Sequence, residues 1–162
     1  MKIFDGAKTT LIRSFDVFPG SANGATVAVA DTTGDGKAEI IVGSGEGSKP
    51  LVKVVSADGT LLAQFSPYQD EIKGGVRVAA CDFDNDGIAE VVTGTGLKSA
   101  PLIRTFSAAG TAKYTPGFYA FDKNFRGGVN VACGDVDGDG FNDIVAGVGV
   151  GASPKVKVFD RG

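Results

Sequence analysis

DFDNDGIAE, residues 82–90, decides how this chain is read. Oxygen-bearing side chains stand at its first, third, fifth and ninth positions, with glycine at the sixth. The pattern recurs as DTTGDGKAE at residues 31–39 and as DVDGDGFND at residues 135–143. The first aspartates lie 51 and 53 residues apart. Oxygen donors at alternate positions around a glycine turn suit a hard cation such as Ca²⁺. The near-constant interval says that the site was copied with a whole structural unit.

Aligned on these loops, the rest of the chain falls into register. Pro50, Pro101 and Pro154 each follow the first aspartate of their loop by 19 residues. Residues 74–96 and 127–149 match at 12 of 23 positions without a gap. Aromatic pairs recur three residues apart: Phe15 with Phe18, Phe65 with Tyr68, Phe118 with Phe121. Between the loops the apolar period is two, which argues for strands. Strand A is expected at 26–30, 76–80 and 129–133, before each loop. Strand B follows at 39–42, 90–93 and 143–146. Glycine-rich connections lead to strand C at 52–56, 102–107 and 155–160. A turn at Ala57-Asp58-Gly59 or Ala108-Ala109-Gly110 leads to strand D, which carries the aromatic pair. No segment shows a helical stripe.

Four antiparallel strands per unit of about fifty residues make one blade of a β-propeller. The expected fold is therefore all-β, with about three blades in one partial propeller domain, 1–162. Residues 25–75 and 76–128 are whole blades. Residues 1–24 supply strands C and D of a split blade, and residues 129–162 supply its strands A to C. Met1-Lys2-Ile3-Phe4-Asp5 resembles Val156-Lys157-Val158-Phe159-Asp160, so strand C occurs at both ends. Three blades are too few for the usual closed ring and would leave apolar flanks open. A homo-oligomer is expected, with two chains pairing into a six-bladed ring. A fragment of a longer tandem array is the alternative.

Composition narrows the function. The net charge of −3 and the scattered basic residues give nucleic acid no phosphate-binding patch. No apolar run approaches 18 residues, so no membrane insertion by a helix is expected. There is no histidine, which removes the Ser-His-Asp arrangement and the ordinary zinc site. Cys81 precedes its loop aspartate by one residue and Cys133 by two, which points them to opposite strand faces. Two free core thiols are expected. The glycines at 43–50, 94–101 and 147–154 precede strands, not helices, so phosphate-cradle readings fail. They are read as allowing a tight inner connection. The aromatic pairs are read as inter-blade core, and Arg126 as a surface residue.

The stretches GGVRVAACDFDNDGIAEVVTGTG and GGVNVACGDVDGDGFNDIVAGVGVGASPKVKVFD resemble the FG-GAP/VCBS calcium-binding repeat. Such repeats occur in secreted and cell-surface propellers and in integrin-type heads. An EF-hand is excluded, because position 12 is Thr93 or Ala146 and the flanks are strands. In the third loop the side-chain ligands are then Asp135, Asp137, Asp139 and Asp143, with the carbonyl of Phe141. In the second they are Asp82, Asp84, Asp86 and Glu90, with the carbonyl of Ile88. In the first they are Asp31, Thr33, Asp35 and Glu39, with the carbonyl of Lys37. Thr33 replaces a carboxylate and Lys37 adds a positive charge, so that site is expected to be the weakest of up to three Ca²⁺ sites.

The resemblance implies a non-enzymatic module for adhesion or recognition outside the cell or at its surface, with a protein or glycan ligand. A carbohydrate-binding propeller beside a polysaccharide-acting enzyme is the alternative. With no tryptophan and three tyrosines, few rings are on hand to stack on sugars. An isolated propeller fragment with no independent role is a further reading.

Overall fold

The computed structural model describes residues 1–160, save the side chain at position 115. The described residues form thirteen strands and no helix. The hairpin β1 (Lys2–Phe4) and β2 (Leu11–Ser14) is a two-stranded sheet of its own. Next comes a four-stranded antiparallel sheet of β3 (Ala25–Ala30), β4 (Glu39–Ser44), β5 (Val52–Val55) and β6 (Leu61–Phe65). A second is built of β7 (Val76–Cys81), β8 (Glu90–Thr95), β9 (Leu102–Phe106) and β10 (Ala112–Tyr119). The last sheet has three strands, β11 (Val129–Gly134), β12 (Asp143–Val148) and β13 (Val156–Phe159). Each four-stranded sheet is an up-and-down meander in chain order, which is the blade topology. Residues 161 and 162 of the last expected unit lie outside the described residues.

The sequence pattern explains the layering. All six residues of β4 and all six of β8 are buried. Each of these strands has a partner on both edges and a sheet packed on both faces. Small and β-branched side chains fill such a site, because no position can turn to solvent. Strand A then meets strand A of the next sheet. β3 lies against β7, and β7 lies against β11. Alternation lets β7 serve two cores at once. Val76 and Val78 join Ile41, Val52, Val54 and Tyr68 on one side. Ala79 joins Phe83, Val92, Ile103, Val129 and Ala146 on the other. Burying one such valine contributes about 1.5–3 kcal/mol.

Glycine allows the inner contact. A Cβ on Gly96 would stand 1.9 Å from the carbonyl oxygen of Gly74, and the Gly96 N–H donates to Gly75 at 3.0 Å. Gly149 repeats this, donating to Gly128 at 3.1 Å. The glycine-rich segments therefore hold neighbouring backbones together, as their setting before a strand suggests.

The aromatic pairs stitch blades. The Tyr68 hydroxyl reaches the next sheet, donating toward Thr93 Oγ1 at 3.0 Å and the Leu102 carbonyl at 3.2 Å. Phe65 meets Phe106 at 5.0 Å and Phe118 meets Phe159 at 4.6 Å between ring centres. Only the first member of each pair after β6 and β10 lies on strand D; Tyr68 and Phe121 fall beyond it. A repeated cation supports them. Lys53 donates to the Val17 carbonyl at 2.9 Å, and Arg104 to the Pro67 carbonyl at 2.6 Å. Lys53 sits 5.2 Å over Phe18, and Lys157 sits 5.2 Å over Phe121. Each reaches back to the segment before its own blade.

The cysteines are not free. Cys81 and Cys133 form a disulfide, with Cα atoms 6.2 Å apart. The one-residue offset does put them on opposite faces, but blades pack face to face. The forward face of β7 meets the backward face of β11, so opposite faces are what a bond between adjacent blades requires.

Within one chain the β1–β2 hairpin does not complete the β11–β13 sheet. Met1, Ile3, Phe15 and Phe18 pack instead against Ile40, Val42 and Val55 of the first blade.

Candidate metal centre: the acidic loops

Each acidic loop is the connection from strand A to strand B. Cross-strand pairs fix its ends: Ala30 faces Glu39, Cys81 faces Glu90, and Gly134 faces Asp143. The ninth-position acid is therefore locked into a sheet. It is buried in all three copies, at 4%, 3% and 2% exposure for Glu39, Glu90 and Asp143. One oxygen of each accepts the backbone N–H of the second loop position. Glu39 takes Thr32 at 2.9 Å, Glu90 takes Phe83 at 3.1 Å and Asp143 takes Val136 at 2.9 Å. These acids close the loop as well as face it.

The first aspartate organises the turn. Asp31 accepts from Thr33, Gly34 and Gly36, Asp82 from Asp86 and Gly87, and Asp135 from Gly138 and Gly140. Partial burial pulls the Asp31 carboxyl upward, but the backbone N–H groups, led by Gly34 and Gly36, outweigh it and hold the pKa below the ordinary value. The fifth-position acids Asp35, Asp86 and Asp139 each accept the N–H of Lys37, Ile88 and Phe141 at 2.8 Å. Those N–H bonds fix the backbone at the positions whose carbonyls the resemblance assigns as ligands.

Two loops gather their carboxylates. Oxygens of Asp82, Asp84 and Asp86 lie within 4.8 Å of one another, as do those of Asp135, Asp137 and Asp143. Asp84 Oδ1 is buried with no hydrogen-bond partner. Such an oxygen costs desolvation energy unless something positive meets it. Hard oxygen donors in this density suit Ca²⁺, and the residues of the second and third loops fit it. The first loop forms no such triple among the described residues; Thr33 stands where its counterparts carry Asp84 and Asp137.

Two residues escaped the sequence reading. Asp160, at the end of β13, gathers with Asp137 and Asp139 within the same 4.8 Å. Its counterparts in the two whole blades are Ser56 and Ser107, and Asp5 at the N-terminal strand C follows no acidic loop, so the loop alignment gave no signal. Lys113, on β10, lies 3.5 Å from Glu90 Oε1 and 3.9 Å from Asp84 Oδ2. Glu90, by charge and by hydrogen bond, and then Asp84 hold the pKa of this ammonium above the ordinary lysine value, against desolvation. Its counterpart in the first blade is Leu62, so the first loop lacks this internal cation.

The loops are tied to each other. The Ala89 N–H donates to the Asp31 carbonyl at 2.8 Å. One repeat later the Asn142 side chain donates to the Asp82 carbonyl at 2.6 Å, and Asn85 donates to the Gly140 carbonyl at 3.0 Å. All three loops thus stand in a row along one rim.

Meandering four-stranded blades, strand A packed on strand A, and acidic A–B loops together define a β-propeller repeat protein. Residues 23–60, which hold β3, the first acidic loop, β4 and β5, match the FG-GAP repeat family. The chain is also 29% identical over 153 residues to integrin alpha-8 from Mus musculus, covering 82% of this chain and 14% of that protein. Residues 23–60 thus carry the FG-GAP pattern, and the chain spans a small part of the length of this curated relative.

Proposed function

We propose that this chain is a Ca²⁺-stabilised, non-enzymatic propeller module for adhesion or recognition outside the cell or at its surface. The observation that carries the reading is the second loop. Three aspartates converge there, and a buried Asp84 oxygen has no donor. Asp82, Asp84, Asp86 and Glu90 Oε1, the oxygen that faces Lys113, would hold one ion. Asp135, Asp137, Asp139 and Asp143, joined by Asp160, would hold another. The first loop is the weakest site. The ion neutralises carboxylates that otherwise repel, and so fixes the A–B connections. The disulfide supports an oxidising compartment, where such bonds persist. The similarity to an integrin alpha chain supports a place at the cell surface. A sugar-stacking role is less well supported, because Phe65, Tyr68, Phe118 and Phe121 are engaged between blades.

Thermal unfolding tests the metal reading. Sites of this kind work at about 10⁻⁴–10⁻³ M. An ion at a hundred times its dissociation constant adds about 2.7 kcal/mol. The melting temperature should therefore fall by about 5–10 °C in EDTA and recover in Ca²⁺. The Asp82→Asn, Asp135→Asn double variant should lose that response. A melting temperature indifferent to both reagents refutes the proposal.

A further inference from the structure

Repeat equivalence exposes an unfilled interface. Ala25, Val27 and Val29 on β3 are the counterparts of Val76, Val78 and Ala80 on β7. On β7 this face lies under the preceding blade, and Val76 and Val78 are 0% and 7% exposed. On β3 it is open, and Val27 and Val29 are 58% and 62% exposed. The opposite face of β3 is already occupied: Thr26 Oγ1 donates to the Val76 carbonyl at 2.6 Å, and Ala28 packs in the core shared with β7. What the open face lacks is therefore the inner strand of a preceding blade. The face that β7 turns toward β11 has its counterpart on β11 itself, in Asn130, Ala132 and Gly134. Asn130 and Ala132 are exposed.

We propose that a second copy of this chain fills the gap, its β11 docking against the open face of β3. The interface would repeat the contact that β7 makes with β11 inside one chain. Its side chains are small and uncharged, as in the contact of β3 with β7, so backbones can approach closely. Two copies joined this way twice place six inner strands in a closed ring. The outer edge of β12 then takes either β13 of its own chain or β1 of the incoming one, since both carry the same strand C pattern. The association is head to tail and closes, so no apolar face is left over.

The native disulfide supplies the ruler for a test. Cys81 corresponds to Gly134, and Cys133 corresponds to Val29. A cysteine at each of those positions would face its partner across the new interface as Cys81 faces Cys133. Nothing stands within 4 Å of a Cβ built on Gly134, so the substitution fits the single chain. The Val29→Cys, Gly134→Cys variant, mildly oxidised, should run as a covalent dimer on a non-reducing gel and revert with reductant. Each single variant should stay uncrosslinked. The unmodified protein should show by light scattering twice the 16.4 kDa of one chain. Val27→Asp changes an exposed residue, and should give a monomer with unchanged far-UV circular dichroism. The proposal is overturned by a monomer at all concentrations, by a bond closing within one chain, or by a ladder of covalent oligomers. A Val27→Asp protein that remains dimeric also overturns it. None of these outcomes depends on metal.

Discussion

The bond between Cys81 and Cys133 has a calculable consequence. It joins positions 52 residues apart, on strands of adjacent blades. Cutting it frees the unfolded chain to open that loop. The loop-closure relation gives roughly 4 kcal/mol for a loop of this length at 25 °C. For a domain of this size each kcal/mol shifts the melting temperature by roughly 2–4 °C. The Cys81→Ser, Cys133→Ser double variant should thus melt roughly 8–16 °C lower than the parent. Both cysteines are changed together, since one alone leaves a reactive thiol. Scanning calorimetry in saturating Ca²⁺ keeps metal linkage constant between the two proteins. Adding a reductant to the parent should reproduce the fall, and the variant should be insensitive to it. Two outcomes would refute the reasoning. One is titration of two free thiols in unreduced, denatured parent protein. The other is a parent melting temperature that reductant leaves unchanged.

Two smaller perturbations address the inner contact and the second loop. Gly96→Ala forces a methyl group into the Gly74 carbonyl, an atom that cannot move without its blade. We expect a loss of about 3 kcal/mol or more in urea unfolding, whereas alanine at an unstrained glycine in open space gains about 0.4–1 kcal/mol. Equal stability would mean that the blades are not so close. Lys113→Gln removes the ammonium that faces Glu90 and Asp84. Lys113 is partly exposed, so screening limits the effect, and the second loop should bind Ca²⁺ about two- to fivefold more tightly in calorimetric titration. Unchanged affinity would mean that this lysine does not compete with the ion.

The strands were legible because their apolar period is two and because the repeat states it three times. β4 and β8 read as inner strands since every position in them is small, β-branched or apolar, apart from the acid that closes the loop. The loop residues were legible for the same reason, as repeated acids at fixed offsets. The disulfide was not. Faces of one strand are readable from parity, but which faces meet depends on blade stacking, which lays the forward face of β7 on the backward face of β11. Asp160 and Lys113 were missed for another reason. Lys113 has no like residue in another blade, and Asp160 recurs as Asp5, which follows no acidic loop, while alignment rewards what recurs. The ninth-position acids are assigned as donors from their offset alone, while their burial and their grip on the second-position N–H come from the sheet register.

The bonds from Ala89 to Asp31 and from Asn142 to Asp82 run in one sense, from the eighth position of a loop to the first position of the loop before it. The first aspartate is also the residue that shapes its own turn. A loop that stiffens thus pins the anchor of its upstream neighbour, while it gains nothing from the anchor it holds down. Order along the rim is handed on like a row of roof tiles, each overlapping the last. Within a single chain no following loop holds Asp135, so the third copy should fray first at its opening turn, up to the Gly140 carbonyl that Asn85 pins.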